Sequence, residues 1–174
     1  MPDLPYLDFR KEPAAGILRT WHRWLLSDRG ARAALRRARA LDDVWMEEAY
    51  SRLRLPLREH HGASVRDEAL ARAALAVAEV KEDIGRTFAA CAAAASQGGR
   101  APVTAARMRL TLGADDSDEF LRLLRGLLAM IDGSCDVCDL AALVIAWHSP
   151  EARSKARRRV MLDYYAHAPR TTAA

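Results

Sequence analysis

A chain of 174 residues that is 51% hydrophobic can bury a real core, so the composition excludes a disordered or fibrous protein. The formal charge is only +4, from 27 basic and 23 acidic residues, which leaves the distribution of charge more informative than its total. The three cysteines cannot all pair within the chain, no charged-then-apolar leader opens the sequence, and no apolar run reaches about 18 residues; the expectation is a soluble, cytoplasmic protein with reduced thiols and no membrane partner.

Residues 1–13 are irregular and hold three prolines. The spacing of Ile17, Leu18, Trp21, Trp24 and Leu25 then predicts a helix over 14–26 with one apolar face. A second helix is expected over 29–41. Ala31, Leu35 and Ala38 share one side, Arg29, Arg32 and Arg36 share another, and Arg37 and Arg39 flank it. A third is expected around 43–53, closed by Pro56. Ser64 followed by Asp67 reads as a capping-box-like start for a long apolar segment carrying Leu70 to Phe88, weakened by Gly85.

The stretch SQGGRAP at 96–102 is the clearest break, and a domain boundary is expected near residue 98, dividing the chain into 1–97 and 98–174. Helices follow over about 103–112, after the acidic turn at 113–119, and over about 137–147. Asp116 is the expected cap of the second of these. Ser149-Pro150 opens a last helix, with serine at the cap and proline in the first turn. No segment alternates with period two. The expected fold is all-α, as two small helical bundle domains.

Catalytic chemistry finds little support in these residues. Cys135 and Cys138 form one CxxC, but a structural zinc site needs four ligands and no second pair brackets them. A redox dithiol would follow a strand, and none is expected. His60 and His61 are adjacent in an expected loop, and His22 lies beside an apolar face. No phosphate loop, HExxH or G-x-S-x-G is present. The expectation is no enzyme, no cofactor and no metal. Trp21, Trp24, Trp45 and Trp147 are expected to anchor cores.

Charge distribution is the remaining signal. From Arg19 to Arg39 there are seven arginines and one acid, and from Glu151 to Arg170 six basic residues and two acids. A GC-rich genome would favour arginine over lysine but would not cluster it. Guanidinium groups at three- and four-residue spacing on a helix can follow a phosphate backbone. In the second half, Arg107 and Arg109 stand in ARMRL, Arg122 and Arg125 share a helical face, and 153–159 is a further basic run. Each run alone is more often a solvated face. Tyr164 and Tyr165 can stack on bases or dock the last helix on its neighbour.

Three stretches resemble, in their order and separation, the small subunit of the type I-E CRISPR interference complex Cascade, the CasB family. They are WHRWLL followed by RGARAALRRA, then ARMRLTLGADDSDEFLRLLRGLLAMI, then DLAALVIAW followed by RSKARRRVMLDYY. The family's first motif usually carries two adjacent tryptophans, which His22 and Arg23 separate here. The resemblance implies a two-domain helical protein without catalysis that helps hold the guide–target duplex and the displaced DNA strand. It implies other Cascade subunits, a second copy of the chain, guide RNA and target DNA as partners. The family's basic positions fall on Arg29, Arg32, Arg36 and Arg37, and in the second half on Arg107, Arg109, Arg122 and Arg125. Three other readings remain open from the residues themselves: a helical protein-interaction adaptor, a zinc or dithiol enzyme using Cys135 and Cys138, and a DNA-binding regulator with no CRISPR role.

Overall fold

A computed structural model describes residues 7–96 and 98–170. Among them are ten α-helices: α1 (Ala14–Ser27), α2 (Arg29–Arg37), α3 (Leu41–Trp45), α4 (Glu48–His61), α5 (Asp67–Glu79), α6 (Phe88–Ala93), α7 (Ala105–Gly113), α8 (Ser117–Met130), α9 (Val137–Ala146) and α10 (Pro150–His167). No strand occurs among the described residues; one isolated parallel bridge joins Glu82 and Ser134. The fold is all-α, as expected.

At the centre is α5. Every residue from Ala69 to Ala78 is buried, and a helix that is apolar all round belongs inside a core. It packs against α9, α8, α2 and α3. Gly98 and Gly99 lie in the connection between α6 and α7, and helices from both sides of it contribute to one buried cluster. Buried Arg72 ties α5 to the first turn of α8, donating from Nε to Asp118 Oδ1 at 2.7 Å. That hydrogen bond lowers the Asp118 pKa, outweighing the opposite effect of burial.

Local chemistry explains most helix ends. Asp28 closes α1 and caps α2, accepting from the Ala31 N–H at 2.9 Å. Asp116 accepts from the N–H groups of Asp118 and Glu119, Asp136 caps α9 in the same way, and Ser149 caps α10 ahead of Pro150. Phe120 and Trp147 stack at 3.6 Å between ring centroids, and the indole N–H of Trp147 donates to the Ala114 carbonyl.

Five expected boundaries change. The helix expected around 43–53 is split between α3, which ends at Trp45, and α4, which starts at Glu48 and runs on through His60 and His61, expected in a loop. The second helix stops at Arg37 rather than 41, because the Asp43 carboxylate takes the N–H groups of Arg39 and Ala40 and starts a separate short helix. Pro56 lies within α4 instead of ending it; buried Leu53 and Leu57 on either side hold the helix against the core through the lost hydrogen bond. Ser64 does not cap α5. Its hydroxyl donates to the His61 carbonyl inside a 3₁₀ turn, and Arg66 precedes the helix. The long segment through Phe88 breaks after Glu79, where its backbone finds tertiary partners. Lys81 N–H donates to Gly133 O, while Cys135 and Asp136 N–H donate to Glu82 O and Arg86 O. Gly133 is required there: its φ is +67°, and a Cβ would meet the Glu79 carbonyl at 2.7 Å. Trp45 is no core anchor, since α3 ends on it and Val44 is the buried member; Trp45 is 40% exposed.

Candidate nucleic-acid interface

Arginines of α2 and one arginine of α8 meet at the C-terminal end of α5. Arg32 enters from α2 and donates from Nε to Ala78 O at 2.9 Å, and from Nη2 to Glu79 O at 3.4 Å and Val80 O at 3.1 Å. These carbonyls end a helix and lack intrahelical partners, so a guanidinium covering them satisfies both their hydrogen bonding and the negative end of the dipole. Burial, and then neighbouring Arg36, pull the Arg32 pKa below its ordinary value. His22, buried on α1, sits 3.0 Å from the same Val80 carbonyl through Nε2.

One turn on, Arg36 donates from Nε to Glu79 Oε2 at 2.8 Å. Arg125 arrives from α8 and donates to the other oxygen of that carboxylate, from Nε at 2.9 Å and Nη2 at 2.5 Å. Its Nη2 also donates to the Arg36 carbonyl at 2.7 Å. Beside this clamp runs a groove of about 690 Å³ between the α2–α3 connection and α8. Arg39, Arg122 and Arg125 line it, with Asp118 at one edge and Leu41, Leu75 and Leu121 on its apolar walls. Arg122 makes no ion pair or side-chain hydrogen bond among the described residues, and neither do exposed Arg29 and Arg37 on α2. Arg29 and Arg36, seven residues apart, lie on nearly the same helical face.

Thus Arg36 and Arg125 share one carboxylate, and Arg122 lies beside them in the groove. Arg107 and Arg109 lie elsewhere. Arg107 reaches Met130 Sδ at the far end of α8, and Arg109 donates to the Tyr165 hydroxyl at 2.8 Å. Arg39 is a groove residue that the helical-face reading left at the flank; the early end of α2 turns it toward α8. A side chain that lies past a helix end cannot be placed by helical periodicity.

The terminal basic run is committed differently. Arg157 donates to the carbonyls of Leu112 and Ala114 and to Asp115, with its guanidinium 5.6 Å from the centre of the Trp147 ring. Arg153 donates to Asp115 O, and Arg159 to Asp139 Oδ1 at 2.7 Å. Tyr164 is buried and donates to Val103 O at 2.6 Å, while Tyr165 is exposed.

Cys91, Cys135 and Cys138 are buried free thiols. Burial pushes Cys138 up to about 12 and raises Cys135 further, the reverse of an activated thiolate. Among the described residues no three His, Cys, Asp or Glu side chains converge on a metal site, and no helix is long and apolar enough to cross a membrane.

A family model described as CRISPR-associated protein Cse2 matches residues 31–165. A comparison with curated proteins gave no match. Among solved structures, a chain from the crystal structure of E. coli Cascade bound to a PAM-containing dsDNA target is similar at 20% identity and a TM-score of 0.59. The match covers 90% of this chain and 99% of that one, a likeness of fold.

Proposed function

The chain belongs to the CRISPR-associated Cse2 family, and from that premise we propose that it is a non-catalytic, nucleic-acid-binding scaffold subunit of an RNA-guided Cascade complex. Its partners are the other Cascade subunits, a second copy of itself, and guide RNA and target DNA held through their phosphates. The observation that carries this reading is the convergence of α2 and α8. Arg36 and Arg125 meet on Glu79, and Arg39 and Arg122 continue the positive charge along the adjoining groove. Arg29 and Arg37 extend it along α2, and Arg107 and Arg109 supply a second, separate contact. Arg32 serves the site by fixing α2 on α5.

The mechanism is electrostatic. Arginines that neutralise phosphates release counterions, so binding is independent of sequence and falls steeply with salt. Sequence is read by pairing with the guide, and the subunit contributes by keeping the opened duplex from closing. The test is R-loop lifetime in a reconstituted complex carrying Arg36→Gln with Arg122→Gln. A shortened lifetime at native melting temperature is expected. A variant that melts normally, assembles normally and holds the R-loop as long as the parent would contradict the reading.

A further inference from the structure

Glu79 is oddly placed for an acid. It is the last residue of α5, where the helix dipole disfavours negative charge, and its side chain is only 14% exposed. Helix stability gives no reason for a carboxylate there. Its partners do. Arg32, Arg36 and Arg125 all reach the end of α5, and guanidinium groups brought this close repel one another unless an anion stands between them. Glu79 gives one oxygen to Arg36 and the other to Arg125, so it links α2 to α8 across the edge of the groove.

The link also orients the arginines. Arg36 gives only its Nε–H to Glu79, its two terminal nitrogens have no partner among the described residues, and 49% of its side chain is exposed. Arg125 gives Nε and Nη2 inward and keeps Nη1. Arg36, tied through Nε alone, keeps the Nη1–Nη2 edge that takes a phosphate bidentately; Arg125, with both Nη2 hydrogens given to Glu79 and the Arg36 carbonyl, keeps Nη1 as a single donor group.

We propose that Glu79 is a positioning residue for phosphate binding: an internal carboxylate that holds Arg36 and Arg125 at fixed spacing, leaving the Nη1–Nη2 edge of Arg36 and the Nη1 of Arg125 for phosphate. This rests on the nucleic-acid reading above. It makes a prediction opposite in sign to charge counting. Glu79→Gln adds one positive charge and frees two arginines, so counting alone gives tighter binding and a steeper salt slope. Positioning gives weaker binding, because the released arginines must be ordered again for each phosphate.

The experiment measures binding of a fluorescent oligothymidylate to the full-length protein and to Glu79→Gln and Glu79→Asp, with the Arg Nε–H resonances followed by NMR. We expect two protected Nε–H signals in the parent. Both should disappear in Glu79→Gln, with about a three- to tenfold weaker affinity. Glu79→Asp keeps the charge but withdraws it by one methylene, and it too should bind more weakly. Equal or tighter binding by a folded Glu79→Gln, with the signals absent, would overturn the positioning role while leaving phosphate binding intact. A parent protein that shows no salt-dependent binding would overturn both.

Discussion

The groove at α2 and α8 and the basic stretch of α10 carry the same residue type at similar density, yet most arginines of α10 turn inward, with exposed Arg158 the exception that has no ion pair or side-chain hydrogen bond among the described residues. On α10, Arg153, Arg157 and Arg159 turn inward, onto Asp115 O, the carbonyls of Leu112 and Ala114, and Asp139. On α2, Arg29 and Arg37 stay exposed without partners among the described residues, and Arg36 keeps its outer edge free. Arginine count is therefore a poor guide to a phosphate surface. Arg153 and Arg157 differ from Arg36 in having a turn of backbone carbonyls within reach, and a guanidinium engaged by carbonyls is no longer available to phosphate.

The comparison is sharpest within α2 itself, where Arg32 behaves like α10 and Arg36 does not. Arg32→Ala strips three carbonyls at the end of α5 of a charged donor and should cost roughly 2–3 kcal/mol, or about 5–10 °C in melting temperature. Arg157→Ala should cost about 1–2 kcal/mol, since water can reach part of the turn it covers. Urea denaturation of both variants checks the order. Arg32→Ala melting like the parent would place Arg32 with the phosphate arginines after all.

A smaller effect comes from pH. Burial, the leading cause, holds His22 and His148 below the ordinary histidine value of 6.5; Arg72 adds to the effect at His148. Below that pH the unfolded chain therefore binds more protons than the folded one. Stability from these groups is complete above about pH 6.5 and declines as pH falls toward 5. His22→Gln, whose amide can still donate to Val80 O, should flatten part of that decline and leave the share of His148. Urea midpoints at pH 7.5 and 5.5 measure it, and an unchanged difference would contradict the assignment.

Much of this was readable in the chain. Capping by Asp116 and by Ser149-Pro150 follows from the chemistry of the first turn, and the apolar face of α8 from simple periodicity. The arginines of α2 and α8 were legible as two separate stripes. Their meeting was not, because it depends on Glu79, an inconspicuous acid at the end of an alanine-rich stretch. Local pattern also failed where tertiary hydrogen bonds outcompeted the helix, as at residues 81–86 paired with 133–136, and where a helix ended early and turned Arg39 into the groove.

The most direct measurement is oligonucleotide affinity across a salt series for the parent, for Arg36→Gln with Arg122→Gln, and for Arg153→Gln with Arg159→Gln. The groove variant should bind more weakly, and its log–log salt slope should shrink by about 0.7 for each phosphate of single-stranded DNA that is no longer neutralised. The α10 variant should keep the parent's slope while melting earlier. A slope that falls in the α10 variant and holds in the groove variant would reverse the assignment of the two regions.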